Sequence, residues 1–115
     1  MRVDVAEIGD RPTVATAARM NAPAGAKVLA DVLHDMNFAD HCVLTLDWDK
    51  GALIVSCAKR YPDIRRRADI DFALDMEDAF TQDQFGRDIA LEMCDHLRNS
   101  FREKDEEAAK MVGRA

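Results

Sequence analysis

The chain has 115 residues, 48% of them hydrophobic and 33% charged, and its formal net charge is −6 at pH 7. This composition is typical of a single folded domain, here residues 1–115, and argues against global disorder. The negative charge disfavours nonspecific attraction to nucleic acid or anionic membrane. The sequence has no run of about 18 apolar residues, so we expect no membrane span.

Residues 1–22 predict an N-terminal strand followed by an arm. Apolar side chains alternate at the start, as in an edge strand: Val3, Val5 and Ile8. Residues 10–22 show no clear periodicity, and both a short helix and an arm lying on a partner are compatible with them. Because Asp4 falls where a signal peptide would carry its apolar run, we expect a cytoplasmic protein.

A first helix is predicted from Pro23 to Met36. Pro23 suits the first turn, where its missing N–H is not needed. Asn37 is a suitable left-handed stop at the other end. Apolar residues at helical spacing share one face: Val28, Leu29, Val32, Leu33 and Met36.

Two apolar, β-branched stretches, Cys42–Leu46 and Leu53–Cys57, predict a β-hairpin. The polar residues between them end in Gly51, which can adopt the positive φ that closes a short loop.

A third strand is predicted after the hairpin, because its side chains alternate between two sets with a period of two. One set is Ala68, Ile70, Phe72, Leu74 and Met76; the other is Asp69, Asp71, Ala73 and Asp75.

A second helix is predicted to begin near Thr81, which forms a capping box with Gln84, flanked by a Phe80–Phe85 staple. Gly86 lies in the apolar stripe and suggests a close approach of this helix to the sheet. Residues 104–115 predict a solvated helix end. The stripe consists of Phe85, Ile89, Ala90, Met93, Cys94, Leu97 and Phe101.

The element order is therefore (β)-α-β-β-β-α. It predicts an α+β, two-layer sandwich, in which two helices pack on one face of a three- or four-stranded antiparallel sheet. Three cysteines, Cys42, Cys57 and Cys94, fall at predicted core positions. We expect them to be reduced, with Cys42 and Cys57 facing each other as packing rather than as a bridge.

No pattern in the sequence indicates a cofactor, a metal centre or catalysis, and we expect no enzyme activity. Cys94 and His96 are two residues apart on a helix and therefore point in different directions. Asp69 and Asp71 share one strand face and could hold Mg²⁺, which leaves a metal-dependent hydrolase as the least favoured alternative. Nucleophile motifs and phosphate-binding loops are absent.

The core order α-β-β-β-α is similar to that of double-stranded-RNA-binding domains. Those domains begin their last helix with glycine and lysine, whereas this helix begins with Thr81-Gln82-Asp83-Gln84. We therefore do not expect nucleic-acid binding.

Charge is unevenly distributed along the central part of the chain. Five cations and one acid lie between Lys59 and Arg67, and six acids without a base lie between Asp69 and Asp83. This separation favours a small non-catalytic protein–protein interaction or assembly module, of phage or mobile-element origin, that binds a protein partner or itself. The predicted contact residues are Arg65, Arg66 and Arg67 on a basic loop, Asp69, Asp71, Asp75 and Asp78 on an acidic strip, and Trp48 as an aromatic anchor.

The alternative is an acidic protein that mimics nucleic acid and inhibits a DNA- or RNA-binding protein. A dense row of carboxylates can occupy a positively charged groove through electrostatic complementarity.

Overall fold

The structure, a computed structural model, describes residues 1–81 and 85–114. These residues form an α+β fold with a four-stranded mixed sheet and three α-helices. The elements in chain order are β1 (Arg2–Ile8), α1 (Thr16–Met36), β2 (His41–Asp47), β3 (Ala52–Tyr61), β4 (Arg66–Asp75), α2 (Met76–Phe80) and α3 (Arg87–Arg114).

The strands lie in the order β1-β2-β3-β4, so β1 and β4 are the two edges of the sheet. The predicted N-terminal strand is confirmed. The prediction of an antiparallel sheet is wrong at this edge, because β1 pairs parallel with β2 while the other pairs are antiparallel. The reason is the connection: α1 returns the chain across the sheet before β2 begins, whereas short turns join the later strands.

The hydrophobic core lies against one face of the sheet, which we call the inner face. Its buried side chains alternate along β2 and β3 with half-buried side chains of the opposite, outer face. Leu29 and Leu33 of α1 and Phe101 of α3 belong to the same core. The inner-face residues of the central strands are Cys42, Leu44, Leu46, Leu53, Val55 and Cys57.

Helix α1 begins at Thr16, seven residues before the predicted start at Pro23, and Pro23 lies inside it. The additional turns bury Ala18 and Ala22, which continue to Ala26 at a spacing of four. Small alanine side chains give a weak apolar signal in the sequence, but here they are fully buried in the core. That burial outweighs the hydrogen bond that proline cannot donate.

The predicted stop at Asn37 is confirmed: Asn37 has φ 50° and donates its N–H to the carbonyl of Leu33. The predicted hairpin is also confirmed, with Gly51 at φ 64°.

The two hairpin cysteines are joined, contrary to the prediction of unbridged packing. A disulfide connects Cys42 and Cys57, which lie directly opposite each other with their Cα atoms 4.1 Å apart. Opposed residues of an antiparallel pair come close enough for such a bridge. Cys94 is free and buried; burial and then the charge of Asp95 raise the pKa of its thiol to about 11.

The connection after β4 differs from the prediction. A short helix, α2, begins directly at Met76 and ends at Phe80, and Thr81 is its C-terminal cap. The predicted capping box requires Gln84, which lies outside the described residues. Phe80 and Phe85 are in contact, with ring centroids 4.9 Å apart. The prediction of a helix start near Thr81 is wrong, however, because α3 begins at Arg87, so this contact is not a staple at its N-terminus.

The close glycine contact occurs at Gly25 rather than at Gly86. A Cβ atom on Gly25 of α1 would lie 2.2 Å from Cε1 of Phe80, whereas a Cβ atom on Gly86 would meet nothing within 4 Å. Gly86 precedes α3 and therefore does not determine how that helix approaches the sheet.

The end of α3 is more than a solvated extension. Ala108 is buried, and Asp105 accepts hydrogen bonds from Lys59 (2.8 Å) and Tyr61 (2.5 Å) at the end of β3. None of the helices in the described part of the chain is long and apolar enough to cross a membrane.

Candidate protein-binding surface

Two residues of the predicted basic loop, Arg66 and Arg67, and most of the predicted acidic strip lie in β4, one of the two edge strands, whereas Arg65 lies in the loop before it. The loop begins with a single 3-10 turn, Pro62–Ile64, and ends at Arg65 in a left-handed conformation with φ 52°. Pro62 presets the backbone for the turn, and its carbonyl accepts the N–H of Arg65 at 3.1 Å.

The three arginines point in different directions and do not form one patch. Arg67 lies on the outer face and pairs with Asp69 at 2.8 Å. Arg66 has the inner-face parity of Ala68 and lines a groove of about 300 Å³ beside Lys104 of α3. Arg65 is exposed within the loop.

The carboxylates of β4 lie together on the outer face. Asp69, Asp71 and Asp75 are all exposed, and Ala73 occupies the same row between the last two. Alternate residues in a strand are about 6.8 Å apart, so the row presents closely spaced negative charge. Asp78 lies outside this row, because it belongs to α2.

The three carboxylates of the row have different local partners. Asp69 is paired with Arg67. Asp75 is the N-cap of α2, where its Oδ1 accepts the N–H groups of Glu77 (2.9 Å) and Asp78 (3.1 Å). Asp71 has neither an ion pair nor a hydrogen-bond partner for its side chain within residues 1–81 and 85–114.

The outer backbone edge of β4 pairs with no other strand among the described residues. The N–H of Met76 donates to the carbonyl of Gly51 at 2.8 Å, towards β3. Because backbone groups alternate in direction along an antiparallel strand, the N–H and C=O groups of Ala73 and Asp71 point away from β3. These groups are directed towards the open edge.

An apolar groove runs beneath this edge, on the inner side. Its volume is about 340 Å³. The β4 side chains that line it are only half-buried, because no further strand of the described residues lies beside them. The groove is lined by Ile70, Phe72 and Leu74 of β4 and by Met93, His96 and Leu97 of α3.

The predicted aromatic anchor is not on this surface. Trp48 is only 1% exposed, so its ring is not accessible to a partner. The chain after β1 folds over the hairpin tip: Arg11 lies 5.2 Å from the centroid of the Trp48 ring, and Thr13 donates to the Trp48 carbonyl at 2.5 Å. Local sequence indicated a turn at Trp48, but not the covering segment that comes from far away in the chain.

A polar cluster holds α3 near the basic end of the edge. Burial raises the pKa of Asp105, but the hydrogen bonds from Lys59 and Tyr61 outweigh it and leave the pKa below its usual range. Burial, followed by the Asp105 bond, raises the pKa of Tyr61. These groups are structural partners of one another.

Metal-binding geometry is not found: within residues 1–81 and 85–114, no three His, Cys, Asp or Glu side chains are grouped to hold an ion.

Comparison with protein-family models, with curated proteins and with solved structures gives no match to this chain.

Proposed function

We propose that the chain is a small non-catalytic protein–protein interaction or assembly module, which binds its partner along the free edge of β4. The observation that carries this proposal is the combination of separated charges with a ten-residue strand that, within residues 1–81 and 85–114, pairs on one side only. Unpaired N–H and C=O groups on an edge strand are a template for another strand.

The side chains of β4 add selectivity to this backbone template. Arg67 lies near one end of the strand and Asp75 at the other, so the edge has direction as well as charge. Opposite charges that face each other across a strand pair favour one register, and like charges disfavour the others.

The apolar groove under the edge supplies the contact area that charges alone do not. The half-buried Ile70, Phe72 and Leu74 become fully covered when a strand is added beside β4. In the two-layer arrangement that we propose, both long helices lie on the inner face and leave this edge accessible.

A proline at Ala73 tests the proposal, because the N–H of this residue points to the open edge. Ala73→Pro removes an edge donor without removing a hydrogen bond to β3, and edge strands tolerate proline. Glu7→Pro is the matched control, since Glu7 is exposed and its N–H points to the free edge of β1. The immobilised chain is probed with untagged chain and with a protein extract.

We expect the wild-type chain and Glu7→Pro to retain the same bound species and Ala73→Pro to lose them. Equal binding by Ala73→Pro would exclude the β4 edge as the binding surface. Unfolding by urea shows whether each variant keeps its fold.

A nucleic-acid mimic is the second candidate, and the row of Asp69, Asp71 and Asp75 supports it. Its partner would be a basic nucleic-acid-binding protein, bound with a strong dependence on salt. In that case both Asp69→Asn and Asp71→Asn weaken binding to the partner, which competition with duplex DNA measures.

A further inference from the structure

The free edge of β4 is complementary to itself. A strand that pairs with β4 in the antiparallel direction must place side chains of the same face opposite each other. If the partner is β4 of a second copy, a two-fold axis passes midway between one residue of the strand and its own copy, and the register is named by that residue. Two such registers pair nine residues each within Arg66–Asp75: one has its axis at Asp71, the other at Ile70.

The charges of the outer-face row distinguish the two registers. With the axis at Asp71, Arg67 faces Asp75 of the other copy, and this attraction occurs twice because of the symmetry. Asp69 faces Ala73, and the only like-charge contact is Asp71 with its own copy.

With the axis at Ile70, the pattern is unfavourable. Asp69 then faces Asp71 twice, and Arg67 faces Ala73, so there are two repulsions and no attraction. Like charges directly opposite each other destabilise a strand pair. Other registers with matching faces shorten the pairing.

Arg67 and Asp75 also have polar atoms with which they can bind each other in the register whose axis is at Asp71. Asp75 uses Oδ1 to cap α2 and leaves Oδ2 without a hydrogen-bond partner among the described residues. Arg67 directs Nε and one terminal nitrogen at the same oxygen of Asp69, so its other terminal nitrogen is available for a second carboxylate.

The inner-face side chains also match. With the axis at Asp71, Ile70 faces Phe72 and Ala68 faces Leu74, so each half-buried residue meets an apolar one from the second copy. The grooves between β4 and α3 of the two copies become continuous across the axis.

We propose that the partner of β4 is a second copy of this chain, paired antiparallel across a two-fold axis at Asp71 to form a continuous eight-stranded sheet. This inference rests on the proposed function, since it identifies the partner of the same surface.

A lysine at position 73 distinguishes the two registers, because it should strengthen the dimer in one and weaken it in the other. In Ala73→Lys the introduced ammonium group faces Asp69 of the other copy when the axis is at Asp71, and it faces Arg67 when the axis is at Ile70. Ala6→Lys is the matched control, because Ala6 is exposed on the outer face of the other edge strand. Both variants change the net charge equally.

Sedimentation equilibrium gives the dimer dissociation constant of each protein. We expect Ala73→Lys to lower it about fivefold relative to Ala6→Lys, because two opposite-charge pairs are added across the axis. A weaker dimer in Ala73→Lys would overturn the register.

Asp71→Asn provides a second measurement, because it removes the one like-charge contact of the proposed dimer. We expect it to tighten the dimer about threefold relative to Asp31→Asn, which removes the same charge from an exposed position of α1. Weakening by Asp71→Asn would overturn the two-fold axis at this residue.

A wild-type chain that is monomeric at every concentration would overturn the second copy as partner. The proposed function fails by a different result, namely capture of the same proteins by Ala73→Pro and by the wild-type chain.

Discussion

The two edge strands of the sheet hold their charges in different ways. On β1, Asp4 is paired with both Arg2 (2.9 Å) and His41 (2.8 Å), and Glu7 is paired with Arg11 (2.5 Å). Every charged side chain of β1 therefore has a partner inside the chain.

On β4 the charges are only partly paired. Arg67 and Asp69 form the one ion pair among the described residues of the strand, and Asp75 caps a helix. Asp71 and Arg66 have no ionic partner in the same part of the chain. Edge strands carry charges partly to prevent unwanted pairing. In the proposed dimer, the partly paired charges of β4 favour one register instead.

The largest expected effect concerns the core that supports both edges, at the contact between α1 and α2. Gly25→Ala places a Cβ atom 2.2 Å from the buried ring of Phe80, and overpacking of this kind costs about 1–3 kcal/mol. Urea unfolding measures the loss of stability. The control is Gly86→Ala, which meets nothing within 4 Å and should change the free energy of unfolding by less than about 0.5 kcal/mol. Equal stability of the two variants would contradict the close packing of α1 on α2.

The next effect separates the two roles of Asp75, as a helix cap and as a charge on the edge. Asp75→Ala loses the cap, at a cost of about 1 kcal/mol of stability, whereas asparagine caps nearly as well as aspartate. We therefore expect Asp75→Asn to keep its stability but to weaken dimerisation about fivefold, because it removes two attractive pairs with Arg67. Urea unfolding and sedimentation equilibrium measure the two quantities. An unchanged dimer dissociation constant in Asp75→Asn would contradict the proposed pairing of Arg67 with Asp75 of the other copy.

The smallest effect concerns Asp4 of β1 and is a change in stability at acidic pH. The hydrogen bond from His41, followed by the charge of Arg2, holds the pKa of Asp4 below its ordinary value, although some burial opposes this. The carboxylate thus contributes stability above its unfolded pKa of about 3.9, and this contribution is lost as pH falls through the lower folded pKa.

We expect Asp4→Asn to be slightly less stable at pH 7 and to lose less stability than the wild-type chain between about pH 5 and about pH 3. Dimerisation should stay unchanged at pH 7. A steeper acid loss in Asp4→Asn would contradict the lowered pKa.

Local patterns in the sequence predicted much of this fold. The alternation of β4 is strong because one face is apolar and the other acidic, and the turn at Gly51 requires a residue that tolerates positive φ. Local sequence does not predict the start of α1, because alanines carry little apolar signal and Pro23 indicates a boundary that packing overrides.

The candidate surface was predicted only in part. The acids of β4 were identified by their period of two, but that β4 is an edge depends on the order of the strands, which no local pattern reports. Trp48 was misplaced for the same reason, since the segment that covers it is distant in sequence. Contacts between distant segments thus account for both differences.

Hydrogen exchange of the two edges, measured at low and high protein concentration, tests the central claim most directly. The amides of Asp71 and Ala73 point to the open edge of β4, and those of Val5 and Glu7 point to the open edge of β1. We expect the β4 amides to exchange more slowly as concentration rises, while the β1 amides exchange at a constant rate. Protection that rises on β1 instead, or on neither edge, would contradict the account.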